Sequence, residues 1–237
     1  MQTTARNVAV DDIQVHVEER GSGQPLLLLH GLTGSGGDFA HVFDLDALGS
    51  DYRVIAPDAR GHGRSTNPGG AFTIRRCARD VVGLLDALGV EHALAVGVSL
   101  GALTLLHVAT EAPARIARMI LVSAAPRFSD GARASMRVQG GLAALLANAG
   151  GEDLGFTPDR LAAITADTLV VSGDRDPLHP VELAVDLYRG IAHAALYVVP
   201  GGGHSPVFLA ERDAFARRAL PFLRAGLGVE ASVGAKG

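Results

Sequence analysis

The sequence predicts an α/β fold: a mostly parallel sheet with an antiparallel hairpin at its N-terminal edge, helices on both faces and a short helical insertion. Three observations predict it. Short apolar runs recur along the chain, alternating with amphipathic or turn-rich segments. The intervals between those runs are long enough for the crossovers that parallel strands require. Finally, many of the 30 glycines cluster in short groups between the runs, where they permit turns and close backbone approach.

Residues 7–19, NVAVDDIQVHVEE, are two alternating stretches around Asp11-Asp12, the pattern of an antiparallel hairpin. PLLLLH at 25–30 reads as a strand buried on both faces and ends in His30-Gly31. A loop through Gly34–Gly37 and a modest helical segment to about Leu48 lead to a second buried strand, YRVIAPD at 52–58, closed by Pro57. RGHGRSTNPGG at 60–70 is a long loop. From Thr73 to Leu88 the apolar positions Ile74, Cys77, Ala78, Val81, Leu84, Leu85 and Leu88 recur at three and four. That spacing gives an amphipathic helix stopped by Gly89, with Arg75, Arg76 and Arg79 on its wet face. A strand at 92–99 and a helix at 100–113 follow, then strands at 117–125, 168–174 and 194–201 with helices at 181–189 and 207–223.

Residues 126–167 break this rhythm, holding two or three weak helical stretches and no strand, so they read as an insertion. From Gly226 the sequence GLGVEASVGAKG lacks the periodicity to pack and is expected to be a loose tail. The expected organisation is a core in two parts, 1–125 and 168–225, an insertion at 126–167 and a tail at 226–237.

With 48% hydrophobic and 19% charged residues among 237, the chain can bury one substantial core. A net charge of -4 gives no reason to expect a nucleic-acid or anionic-membrane partner. The single cysteine, Cys77, can form no intrachain disulfide. The N-terminus has no apolar signal-peptide core, and no apolar run reaches the roughly 18 residues that span a bilayer. The expectation is a soluble cytoplasmic protein, monomer or homodimer, whose partner is a small-molecule substrate. An H-E-x-x-H pattern, a cysteine cluster, a P-loop lysine and a dinucleotide fingerprint are all missing, so no metal or organic cofactor is expected.

Gly97-Val98-Ser99-Leu100-Gly101 is a G-x-S-x-G sequence set between a strand and a helix, the context in which a sharp turn lifts a serine hydroxyl clear of a sheet. The helix start leaves the Leu100 N–H free to hold an oxyanion, and the Leu32 N–H in the loop after the first buried strand is the candidate second donor. Of nine histidines, His204 in PGGGHSP directly follows a strand and is the candidate base. His16, His30, His107 and His193 are better placed as structural or surface residues. A carboxylate after the strand ending near Ser172 would orient the imidazole, and Asp174 and Asp176 are both candidates.

HGLTGS at 30–35, DARGHGRS at 58–65, GVSLG at 97–101, GDRDPLHP at 173–180 and GGGH at 201–204 stand in one order and spacing. On these the chain resembles the α/β-hydrolase superfamily from about Val10 to Leu223, in the branch of small serine esterases, lactonases and carbon-carbon bond hydrolases. The resemblance implies Asp176 as the acid, because Gly173, Asp176 and Pro180 fit the G-x-x-D-x-x-x-P pattern. It assigns Asp58, Arg60, Gly61, Gly63 and Ser65 to loop shaping. It also implies that 126–167 is a short lid over Ser99. Phe128, Met136, Leu142, Leu146 and Phe156 are then expected substrate contacts, with Val138 and Leu145 beside them, unless these side chains merely seat the lid. The implied activity is hydrolysis of a carboxylic ester or lactone of a small apolar substrate through an acyl-enzyme. Alternatives are carbon-carbon bond hydrolysis of a vinylogous diketone by the same residues, or a non-catalytic small-ligand receptor.

Overall fold

The computed structural model describes residues 3–69, 72–139, 153 and 155–226. Strands β1 (Thr3–Val10) and β2 (Ile13–Arg20) form the expected hairpin, turning through Asp11, whose φ is +48°. The hairpin reaches further toward the N-terminus than the alternation suggests. β1 is an edge strand exposed over most of its length, so its first residues carry no burial signal to read.

β3 (Gln24–Leu29), β4 (Tyr52–Pro57), β5 (Ala93–Val98), β6 (Ile116–Val122), β7 (Asp167–Gly173) and β8 (Ala194–Val199) complete an eight-stranded sheet ordered β1-β2-β4-β3-β5-β6-β7-β8. β2 pairs antiparallel with β4, and from β4 to β8 every pairing is parallel. The chain order reverses at β3, which lies between β4 and β5, and in such sheets the crevice beyond the strand C-termini at that reversal is where ligands bind.

Period-two alternation along the strands divides the core. Leu27, Leu29, Ala95, Leu121 and Val170 pack with the buried residues of α2 (Ile74–Ala87) and α3 (Leu100–Glu111). Leu26, Leu28, Val96, Ile120 and Val171 face the other way, toward α1 (Leu45–Asp51) and Phe215 and Phe222 near the C-terminus. Each fully buried leucine or isoleucine contributes about 1.5–3 kcal/mol through area removed from water. Cys77 lies in the first of these layers, where burial pushes its thiol well above the ordinary range.

The Thr73 side chain caps α2 by accepting the Arg76 N–H. A second cap comes from far along the chain: the Asp153 carboxylate accepts the N–H groups of Ile74 at 2.8 Å and Arg75 at 2.9 Å. The wet face of α2 is less wet than expected, because Arg75 pairs with Glu111 and Arg76 with Asp12, leaving Arg79 exposed.

Between β6 and β7 the described residues form α4 (Asp130–Gln139), α5 (Pro158–Ala162) and an isolated bridge between Arg127 and Gly155. Leu142, Leu145 and Leu146 lie outside the described residues, as does the expected tail beyond Gly226. α6 (Val181–Gly190) and α7 (Arg212–Ala225) follow. α7 starts later than the apolar pattern indicates, because backbone bonds from Phe208 to Ser205 and from Glu211 to Phe208 wind the preceding residues into turns. Among the described residues no helix is long and apolar enough to cross a membrane.

Candidate active site

Ser99 follows β5 and caps α3 with φ +49° and ψ −110°, a left-handed backbone that a serine adopts only where its surroundings impose it. Two bonds impose it here: the Ser99 N–H donates to the Val122 carbonyl at 2.8 Å and its own carbonyl accepts from Leu103 at 2.9 Å. The turn is tight enough that a Cβ on Gly101 would lie 2.0 Å from the Leu29 carbonyl oxygen, so β3 and α3 approach only because position 101 has no side chain.

From this turn the Ser99 Oγ faces His204 Nε2 at 2.8 Å, and His204 Nδ1 faces Asp176 Oδ2 at 2.8 Å. The chain holds the acid by its other oxygen, since Asp176 Oδ1 accepts the N–H groups of Leu178 at 2.8 Å and His179 at 2.9 Å. Burial works against the charge on Asp176, but the bond from His204 and the two amides outweigh it and hold the carboxyl below its ordinary value. An ionised carboxylate can only accept, so Nδ1 carries the ring proton and Nε2 presents a lone pair to the serine hydroxyl. Asp174 is exposed, and its backbone N–H bonds the Val199 carbonyl.

A cavity of about 450 Å³ opens over Ser99. Leu32 and Leu100 both line it, as do Phe128 and Met136 from the segment after β6. Phe156 does not: it is buried in the core, 4.8 Å from the His107 ring, with the Arg160 guanidinium 4.6 Å over its face. Its contacts tie the segment between β6 and β7 to α3, so the structure places this expected substrate contact in the core and away from the cavity lining. Val138 is likewise turned to solvent, at 89% exposure.

Asp58, Arg60 and Ser65 tie together the loop that follows β4. The Asp58 carboxylate accepts the N–H groups of Gly36 at 2.9 Å and Arg64 at 2.8 Å, while Ser65 Oγ donates to the Asp58 carbonyl at 2.7 Å. The buried Arg60 guanidinium binds Asp80 and Asp12; burial opposes its charge, and the two carboxylates more than restore it. His30 Nε2 accepts from the Ala59 N–H, and its Nδ1–H meets the Gly31 carbonyl at 2.7 Å, so both ring nitrogens are engaged by backbone.

One neighbour of the site was not singled out from the sequence. His179 is buried, donates Nδ1–H to the Ser123 carbonyl at 2.7 Å and sets its ring edge-on to His204, 5.1 Å between centroids. Burial, and next the proximity of His204, hold its imidazole below the ordinary value and keep it neutral. Only its place just before Pro180 at the start of α6 could have signalled it. Asp176, His179 and His204 each bring a ligand-type atom within 4.8 Å of the others, the spacing of a metal site. Those of Asp176 and His204 are engaged with one another, and His179 Nδ1 with Ser123.

Residues 24–141 match the family model described as the alpha/beta hydrolase fold. A protein of Variovorax paradoxus named for carbamate hydrolysis is 31% identical over 88% of this chain and 96% of its own length. The chain belongs to the α/β-hydrolase family. A second relative, the 2-hydroxy-6-oxo-6-phenylhexa-2,4-dienoate hydrolase of Comamonas testosteroni, is 28% identical over 91% of this chain and 93% of its own. Among solved structures, the enol-lactonase from Burkholderia xenovorans LB400 superposes with a TM-score of 0.79 at 23% identity, covering 92% of this chain and all of that one, a likeness of fold.

Proposed function

We propose that this α/β-hydrolase is a cofactor-independent serine hydrolase of carboxylic esters or lactones. The observation that carries the proposal is the continuous line of short bonds Ser99 Oγ to His204 Nε2 and His204 Nδ1 to Asp176 Oδ2, with the serine held at positive φ. Membership of the family and the hydrolase names of the relatives support a hydrolytic reaction.

In this reading Ser99 attacks the substrate carbonyl while His204 Nε2 takes its proton. Negative charge gathers on the carbonyl oxygen and rests on the N–H groups of Leu100, at the start of α3, and Leu32. His204 then gives its proton to the departing alcohol, leaving Ser99 acylated. Water deprotonated by His204 attacks the acyl-enzyme, and the acid leaves as Ser99 recovers its proton. Asp176 stays ionised and stabilises the imidazolium. The segment 126–167 serves as a short lid, with Phe128 and Met136 forming the apolar wall against the substrate.

Initial rates on activated acyl esters of increasing chain length test this reading, with Ser99→Ala in parallel. The expected result is turnover with a chain-length optimum that falls by roughly 10³-fold or more in Ser99→Ala. Turnover that survives in the variant would exclude Ser99 as nucleophile.

A further inference from the structure

Apart from Ser99, His204 and the backbone amides at Leu32 and Leu100, the polar side chains of the cavity wall among the described residues are the hydroxyls of Thr33 and Ser205, the His179 ring and the Asp38 carboxylate, so its one charged side chain is negative. The His179 ring uses its one N–H on the Ser123 carbonyl, so its Nε2 is an acceptor. Its orientation is set from two sides, by His204 edge-on and by the Phe128 ring stacked at 6.3 Å. Asp38 lines the same cavity from the turn after β3, anchored where Oδ2 accepts the Ser35 N–H at 3.1 Å. Among the described residues, no lysine or arginine lines the cavity. Arg133 on α4 instead lies over the Phe128 ring, its guanidinium carbon 5.3 Å from the centroid. The sequence of 140–152, GGLAALLANAGGE, contributes no cation either.

We propose that this site turns away carboxylate-bearing substrates and takes uncharged or ammonium-bearing esters, with Asp38 and His179 setting the preference. The inference rests on the ester-hydrolase reading of the same site. A carboxylate in the cavity meets the Asp38 charge and finds no counter-ion to offset its own desolvation. A hydroxyl, amide N–H or ammonium group finds two acceptors already oriented by other bonds. Discrimination thus comes largely from what the wall refuses.

The test uses three activated esters of one acyl length, ending in methyl, ammonium or carboxylate. In the wild type, kcat/KM for the carboxylate ester is expected to be at least about tenfold below the other two, the effect of one like charge at a protein's effective dielectric. Asp38→Asn keeps the acceptor for Ser35 and removes the charge, and should narrow that gap about threefold or more. His179→Phe should lower the ammonium-to-methyl ratio, and His179→Gln, which retains an acceptor, should restore part of it. A carboxylate ester turned over as well as the methyl ester, or ratios unmoved by both Asp38→Asn and His179→Phe, would overturn the proposal. Should wild type turn over none of the three, the ester reading fails, and calorimetry of the matching carboxamides on Ser99→Ala protein decides the charge preference. There, anionic binding as tight as neutral binding would overturn it.

Discussion

Asp176 is fixed by three hydrogen bonds, and each restricts what a substitution can do. Asp176→Asn preserves shape and the contacts with the Leu178 and His179 amides, but its amide group cannot hold the His204 tautomer that leaves Nε2 free. The expected outcome is a fall in kcat of roughly 10³–10⁴-fold with little change in KM, read from steady-state kinetics on a small ester. The same carboxyl bears on acid stability. Its folded-state pKa lies below the ordinary 3.8, so the stabilisation it supplies is complete above that value and is lost as pH falls through the lower one. The acid was legible only in part from the residues themselves. Asp174 and Asp176 share composition and neighbourhood, and what separates them is that one is exposed while the other is buried beneath His204.

At the scale of elements, the contact between β3 and α3 depends on position 101. A methyl group there has to displace backbone of Leu29, so Gly101→Ala is expected to cost more than about 3 kcal/mol in urea unfolding or to prevent folding. Gly89, at φ +65°, ends α2 with no atom within 4 Å of an added Cβ. Gly89→Ala should therefore cost only the left-handed backbone penalty of about 1–2 kcal/mol, measured the same way. Buried strands were legible because residues packed on both faces read as unbroken apolar runs, as in PLLLLH. The insertion was not. Phe128, Met136 and Phe156 all pack in or against the same core, and only Phe128 and Met136 also line the cavity, a difference that no periodicity reveals. The Asp153 cap on α2 joins residues far apart in sequence, a contact that helix-capping patterns, which are local, do not reveal.

Across the whole molecule, three buried imidazoles share one design. His30, His62 and His179 each bond a backbone carbonyl through Nδ1, and in each burial is the leading cause that holds the pKa below the ordinary 6.5. The unfolded chain therefore binds protons first as the solution is acidified. Their contribution to stability is complete above pH 6.5 and is lost as pH falls from there through the folded-state values. Thermal unfolding between pH 8 and 5 should show a midpoint that declines below about 6.5, with a shallower decline in His62→Gln. A midpoint that rises over that range would contradict neutral buried rings. The order of motifs made the fold legible and pointed to Ser99, His204 and Asp176, which the structure brings into one line of hydrogen bonds, whereas His179, though within the GDRDPLHP stretch, and Asp38 carry no sequence signal that assigns them to the same cavity.

Ser99 and His204 stand 105 residues apart in the chain, and their bond spans β5 to the far side of β8. Closing so long a loop is entropically unfavourable until the intervening strands have paired. The hydroxyl and the imidazole are therefore expected to meet late on the refolding path, after most helix has formed, which stopped-flow far-UV signal set against recovery of activity would check. Their contact is a stricter clock for arrival at the native state than any signal from secondary structure.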